Sequence, residues 1–382
     1  MKNYEEFRPG VLNQEQIVGL EKDVIEPLIG SDVDLSAFDL HLSREGWEMK
    51  GSTKPSCQED VAKLIQAYRK KHLDDNGPWT LKTGETYIFQ LQEYLKLPKN
   101  EKFFCKATGK SSIGRLDVLA RLLVNKCASF DTIDNDSYEG SLYLEVTPIT
   151  FPIRVREGEA LAQLRLFRGR PEWSELKADE LQLYGSMILK EDGQPKTENV
   201  TDLTVNLAPD KSNIVAFRTK EKKEIEQNGL VVDLTKGEKA HDPTKFWDPE
   251  RPNKTGEFKI VPERFYILRS KERFKLPPDV AVYCQAISET LGELRIHYAG
   301  FVHPGFGWHE NDGTPIIFEV RGHNVNVILR DGETLAKIKF YRMSQRCEDS
   351  CLEEKKSPYE GQELRLSKYF KDWPDESDKQ HI

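Results

Sequence analysis

Long apolar runs are absent from this 382-residue chain. No stretch approaches the roughly 20 residues that span a bilayer as a helix, and the N-terminal segment lacks the apolar core of a secretory signal. The expectation is a soluble, cytoplasmic protein with no membrane partner. Cysteine is sparse as well. Cys57, Cys105, Cys127, Cys284, Cys347 and Cys351 are scattered along a large chain, which fits reduced thiols rather than a disulfide framework. Cys347 and Cys351 stand four apart, but no second Cys or His pair lies nearby in sequence to complete a zinc site. A basic excess is also missing. The 56 Lys and Arg face 64 Asp and Glu, a net charge of −8, which argues against a general nucleic-acid binder and leaves room for a local cationic pocket.

What is present suffices for packed cores: 37% of residues are hydrophobic and 10% aromatic, beneath a surface drawn from 31% charged residues. The length suits two domains of ordinary size. Two segments carry chemistry. Lys110-Ser111-Ser112-Ile113-Gly114-Arg115 gathers two cations, two hydroxyls and a glycine, a compact way to hold a polyphosphate. Arg and Lys give charge-assisted hydrogen bonds, Ser gives short donors, and Gly lets backbone come close. Thirty residues after Arg115 comes Glu145, a lone carboxylate in the apolar β-type run Leu142-Tyr143-Leu144-Glu145-Val146. Desolvation there would raise its pKa and suit it to acid–base work, although the same pattern describes a strand-edge charge.

The chain also repeats itself. Glu145, Arg156, Gly158, Leu161, Ala162 and Arg168 recur 174 positions later as Glu319, Arg330, Gly332, Leu335, Ala336 and Arg342, a register held over 24 residues without a gap. Upstream, Leu97-Pro98 matches Leu276-Pro277 and Cys105 matches Cys284, both at an offset of 179. So long a period points to domain duplication rather than a solenoid. We take residues 1–185 and 186–382 as the two lobes.

Short runs rich in Val, Ile, Phe and Tyr, broken by Gly, Pro and Asp, make both lobes mainly β. Glu157-Gly158-Glu159 and Asp331-Gly332-Glu333 read as hairpin turns. Helices are few. One is expected over residues 14–26, with Ile17, Leu20 and Val24 as its inner stripe. A second follows a capping box of Ser56 and Glu59 and places Val61, Leu64, Ile65 and Tyr68 on one face. A short third falls within 174–183. Residues 238–256, with Pro243, Pro249 and Pro252, read as a long surface loop.

These residues resemble the dCTP deaminase and dUTPase family, above all its fused, double-length branch. The resemblance rests on Lys110-Ser-Ser-x-x-Arg115 followed by Leu144-Glu145, and on Ala299 to Phe306 (Ala-Gly-Phe-Val-His-Pro-Gly-Phe) followed by Phe318-Glu319. Ser31 to Leu42 is similar to the family's early strand segment. Pro358-Tyr359-Glu360-Gly361-Gln362 with Leu366-Ser367-Lys368 is similar to its C-terminal tail. The resemblance implies two tandem distorted β-barrel (jelly-roll or β-clip) lobes, a homotrimer or other closed homo-oligomer, and active sites between neighbouring lobes. It implies that Lys110, Ser111, Ser112 and Arg115 grip a triphosphate, and that Ala299, Gly300, Phe301, His303 and Gly305 belong to a hairpin that reads the pyrimidine. A strand Glu handles protons, and Tyr359, Gln362 and Lys368 belong to a tail that folds over the phosphates. Magnesium accompanies the nucleotide and zinc is not used; in keeping, no His-x-Glu is followed by Pro-Cys-x-x-Cys. The nucleotides implied are dCTP and dUTP, with dTTP feedback left open.

The lobes keep different halves of this pattern. The first retains Lys110, Ser111, Ser112 and Arg115, but its hairpin, Phe130 to Gly140, has lost the Pro-Gly turn. The second retains Ala299 to Phe306, but its phosphate segment reads Ser288-Glu289-Thr290-Leu291-Gly292-Glu293, where two carboxylates would repel a triphosphate. A composite site is therefore expected: the first lobe's phosphate segment facing Ala299–Phe306 and Glu319 of a second lobe. Glu319 would activate water for attack on C4 of cytosine and pass the proton to the departing ammonia, with Glu145 as its degenerate counterpart. Arg321 and His323, two and four residues along the same strand face, offer Glu319 plain charge partners instead. His303 stands where the family usually carries Asp; a neutral imidazole both donates and accepts, so cytosine recognition survives. Phe301 and Phe306 can stack on a base or pack in a core, and His297 and His309 receive no role. Three functions remain in play. They are deamination of dCTP to dUTP and ammonia, dUTP pyrophosphate hydrolysis with Asp131, Asp134 or Asp136 holding water, and a non-catalytic deoxynucleotide sensor.

Overall fold

The runs of β-branched and aromatic residues pair into two copies of one sheet. In the first lobe the strands are β1 (Phe38–Met49), β2 (Thr86–Lys96), β3 (Phe103–Gly109), β4 (Val118–Val124), β5 (Thr132–Ile133), β6 (Glu139–Pro148) and β7 (Ala160–Arg168). They lie side by side in the order β4-β6-β2-β1-β7-β3-β5. In the second lobe they are β8 (Asp202–Asn206), β9 (Phe265–Phe274), β10 (Val280–Ala286), β11 (Leu294–Ile296), β12 (Phe301–Val302), β13 (Thr314–Gly322) and β14 (Thr334–Arg342). Their order is β11-β13-β9-β8-β14-β10-β12, the first order with seven added to each label. One of the two sheets closes almost into a barrel and the other makes a half-barrel. The computed structural model describes the chain except residues 1–6, 21–22, 28–31, 75–76, 100, 135–136, 254–255, 287–293, 297–299, 356 and 375–382, and the side chains of 286 and 294–296.

Register makes the repeat specific. Glu145 on β6 faces Ile88 of β2, and Glu319 on β13 faces Ile267 of β9. The cysteine match does not survive this test. Ala162 pairs with Gly109 and Ala336 with Ala286, so Cys105 corresponds in space to Val282 rather than to Cys284.

Other local expectations are also adjusted. Gly158 and Gly332 do adopt the left-handed conformation of tight turns, at φ 81° and 80°. These turns are not hairpins. Ile153–Val155 pairs with Trp79–Leu81 and Val327–Arg330 pairs with Glu257–Ile260, so each turn passes the chain from a small sheet to the main one. The first helix is only Gln14–Val18, capped reciprocally by Asn13 and Gln16 and ended at Gly19; Leu20 and Val24 are buried from the turn that follows. The helix Val61–Tyr68 starts at Asp60, and the first free N–H, that of Val61, donates to Asn125 Oδ1 at 2.9 Å. Ser56 and Glu59 form a turn before it, and Tyr68 points outward, 49% exposed. The boundary helix is Ala178–Leu183. Residues 238–256 are not merely surface loop. Trp247–Glu250 is a strand, and Phe246 and Trp247 are buried.

The lobes share apolar contact because strand side chains alternate. On β9, Tyr266 and Leu268 enter the second lobe's core while Phe265 and Ile267 enter the first lobe's. On β13, Phe318 and Val320 face the second lobe's core, and Ile317 packs against the first. Glu319 stands on the same face as Ile317, so the strand period turns it toward the first lobe. The C-terminal segment crosses back as well, with Leu366, Tyr369 and Phe370 in the first lobe's core. Phe370 meets Phe151, Phe246 and Trp247 there in edge-on ring contacts.

Candidate active site

Where β3 ends, Lys110 is extended and Ser111–Gly114 make a single helical turn that buries Ile113 in the first lobe's core. The turn borders a cavity of about 390 Å³. From the first lobe, Lys110, Ser111, Ser112 and Arg115 line it; from the second, Phe301, His303 and Phe306; from the tail, Tyr359, Gln362 and Lys368. Both surviving half-patterns thus meet within one chain. Gly300 lines a neighbouring cavity of about 660 Å³, Gly305 packs against Leu352, and Ala299 lies outside the described residues. The counterpart segment Ser288–Glu293 also lies outside them.

Arg115 is not a bare cation. It is 2% exposed, and its Nη1 donates to the carbonyls of Arg365 (2.9 Å) and Leu366 (3.5 Å). Its Nη2 donates to Gln362 Oε1 at 3.0 Å, and the guanidinium lies 3.8 Å over the Tyr359 ring. Ser367 Oγ donates to the Ser112 carbonyl at 2.7 Å, and Glu363 pairs with Arg269 (2.6 Å) and Arg273 (2.9 Å) of the second lobe. The tail is a strap fixed at both sides of the cavity, with Arg115 as its buckle. Lys110 Nζ pairs with Asp39, and Lys368 Nζ with Glu238 at 3.0 Å.

On the opposite wall, His303 Nδ1 meets Ser36 Oγ at 3.2 Å and Nε2 meets Asp34 at 3.3 Å. Burial lowers the pKa of this imidazole, Asp34 opposing the shift, and favours the neutral ring. Phe301 does not stand free to stack: its ring carries the Arg165 guanidinium at 3.7 Å and contacts Tyr283 edge-on. Phe306 packs against the second lobe's core while lining the cavity.

Glu319 is 1% exposed and lies behind the Ser111–Gly114 turn rather than on the cavity wall. Its carboxylate touches Gly114, where a Cβ would sit 2.8 Å from both Cδ and Oε1; only glycine admits the approach. Oε2 has no hydrogen-bond partner among the described residues. Burial pushes the pKa up to about 8, partly offset by Arg115 and reinforced by Asp117. The expected charge partners are elsewhere. Arg321 pairs with Asp117, and His323 is exposed beyond the end of β13. Glu145 is equally buried but fully engaged, accepting from Arg121 Nη2 (2.7 Å), Ser52 Oγ (2.9 Å) and the Thr53 N–H (3.0 Å). Asp131, considered as a water holder, accepts the Leu122 N–H at 2.7 Å and lines the larger cavity instead. Burial pushes its pKa up to about 7. Asp136 lies outside the described residues.

Sequence reading missed Arg165, Asp117 and Asp34. Asp117 sat two residues past Arg115 with no motif to mark it. Arg165 gave no signal, since a cation between apolar strand residues looks like a surface position.

Two family models divide the chain. Residues 8–170 match the N-terminal domain of 2'-deoxycytidine 5'-triphosphate deaminase, and residues 174–370 match its C-terminal domain. The crystal structure of the 2'-deoxycytidine 5'-triphosphate deaminase from Agrobacterium tumefaciens is similar, with a TM-score of 0.78 and 30% identity over 89% of this chain and 99% of that one. No match emerges among curated protein sequences.

Proposed function

The chain belongs to the 2'-deoxycytidine 5'-triphosphate deaminase family as a double-length member, and from that premise we propose one composite active site per chain, with Glu319 as its acid–base group. The single observation that carries the reading is the Glu319 carboxylate, delivered by the second lobe against Gly114 of the first lobe's phosphate segment with one oxygen unpartnered among the described residues.

On this reading Lys110 and the Ser111 and Ser112 hydroxyls contact the triphosphate, and Arg115 couples phosphate binding to the strap. Lys355 and Lys368 add cations to the cavity wall against Asp34 and Glu354, a local excess that suits a polyanion in a chain of net charge −8. The hairpin Phe301–Phe306, with neutral His303, borders the pyrimidine. Deprotonated Glu319 takes a proton from water as its oxygen adds to C4. The same proton then goes to the amino group, the C4–N bond breaks, the proton left on the new C4 hydroxyl moves to N3, and dUTP and ammonia form. Magnesium would travel with the substrate. Among the described residues no group of three or more His, Cys, Asp or Glu is arranged to hold a metal, so phosphate oxygens and water would be its ligands. Zinc has no part in the proposed step.

The test is incubation of the full chain with dCTP and magnesium while ammonia, dUTP and pyrophosphate are followed. Ammonia with dUTP, lost in Glu319→Gln, is the expected result. Pyrophosphate release would replace the reading with phosphate-chain hydrolysis, and dCTP binding with neither product would replace it with a sensor.

A further inference from the structure

Two residues beyond Glu319 on the same face of β13, Arg321 reaches across the lobe boundary. Its Nη1 donates to Asp117 Oδ2 and, at 3.0 Å, to Thr150 Oγ1. Thr150 Oγ1 donates in turn to the same Asp117 oxygen at 2.5 Å. Asp117 is fully buried and holds φ at 56°, a conformation uncommon outside glycine. Its N–H donates to the Gly114 carbonyl at 2.8 Å, and its own carbonyl accepts from Ile149 at 2.9 Å. The residue that receives Arg321 is therefore tied by backbone to the glycine that Glu319 touches.

We propose that Arg321 is a positioning residue for the deamination: by covering Asp117 it docks β13 against the phosphate segment and sets the electrostatic environment of Glu319. The proposal rests on Glu319 being the acid–base group. The charged groups that act on Glu319 are Arg115 and Asp117 from the phosphate segment, and Arg321 of its own strand is paired with Asp117. The residue opposite it on β9 is the apolar Ile267, and the side chains of β11 lie outside the described residues. Among these groups Asp117 alone opposes ionisation of Glu319. With Arg321 in place its charge is matched; without it, a buried carboxylate stands uncompensated beside a second one. Such an arrangement favours the protonated form of both.

The experiment compares pH profiles of kcat/KM for dCTP deamination by the full-length wild type, Arg321→Gln, Arg321→Lys and the double variant Asp117→Asn/Arg321→Gln, with Glu319→Gln alongside. Arg321→Gln should move the acid limb upward by about 1 pH unit and lower the rate at pH 7 by roughly 10- to 100-fold. The double variant removes the repelling charge together with its cover, so its limb should return to the wild-type position or below. Arg321→Lys keeps the charge without the guanidinium fork and should hold the limb while losing part of kcat. If Arg321→Gln does not fold, the double variant and Arg321→Lys still report: a limb in the double variant that lies above wild type overturns the proposal. So does an unmoved limb in a folded Arg321→Gln. Either result with an inactive Glu319→Gln removes only the role of Arg321, whereas an active Glu319→Gln removes the acid–base assignment itself.

Discussion

Glu145 and Glu319 occupy one position in two copies of one topology, 174 residues apart and each 1% exposed. Burial does not distinguish them; supply of donors does. Glu145 receives a guanidinium, a hydroxyl and a backbone N–H, all from the first lobe. Glu319 meets instead a glycine of the other lobe, with one oxygen unpartnered among the described residues. A buried carboxylate with its hydrogen bonds filled is a structural element. One left short is costly to ionise and is poised to exchange protons. On the proposed reading, one copy of this position serves cohesion and the other chemistry.

The sharpest way to break this comparison is to remove each carboxyl in turn. Glu319→Gln should lower kcat for ammonia release by about 10³-fold or more, in the upper range for an acid–base group. Glu145→Gln, measured in the same assay at a temperature where it is folded, should stay within about 3-fold of wild type, since its partner Arg121 lines the larger neighbouring cavity and not the one bordered by Lys110, Ser111, Ser112 and Arg115. Equal losses would erase the distinction. Next in size is the strap. Arg115→Lys keeps a charge but cannot hold Gln362 and two carbonyls together, and should cost about 10²-fold in kcat/KM, read in steady-state kinetics.

Stability should separate the pair with opposite signs. The Glu319 pKa lies near 8 in the fold against 4.5 for the ordinary carboxyl. Between those values the unfolded chain has released a proton that the folded chain keeps, so this group lowers stability progressively as pH rises from 4.5 toward 8. Glu319→Gln should therefore raise stability, by up to about 3 kcal/mol at pH 7, with the gain fading as pH falls to 4.5. Glu145→Gln should instead lower stability by about 1–3 kcal/mol, having removed a charge-assisted set and left Arg121 short of its partner. Thermal melts across pH decide both. The same shift predicts that kcat/KM for dCTP climbs as pH rises toward 8; a flat profile between pH 6 and 8 would contradict it. The smallest expected effect is none at all. Because both half-patterns meet within one chain, activity per chain should not change on dilution through any oligomer dissociation, as followed by light scattering. A loss on dilution would show that a second copy completes the site.

Much of this was legible in the sequence. The gapless 174-residue register, the Lys110–Arg115 segment and the loss of complementary halves pointed to two β lobes whose surviving half-patterns face one another, and residues of both line one cavity. Period-two alternation along β13 turned Glu319 to the face away from Phe318 and Val320. Less legible were features that depend on distance in space. The Gly158 and Gly332 turns were visible, but not that each joins different sheets, because pairing partners 67 to 76 residues away leave no local trace. Phe246 and Trp247 looked like loop residues until the tail's Phe370 supplied the surface that buries them. Arg321 appeared to be a partner for Glu319, yet Asp117 stood closer once the lobes were docked.

By itself the sequence determined the repeat, the strand periods and which residue types stand in each half-pattern, for these are properties of order along a chain. The tertiary structure alone decided which glutamate is satisfied, that Arg115 buckles the tail, and that the two half-patterns share a cavity. Those outcomes rest on hydrogen-bond reach of about 3 Å between residues far apart in the chain, and on a desolvation that exists only once both lobes exclude water from the boundary between them.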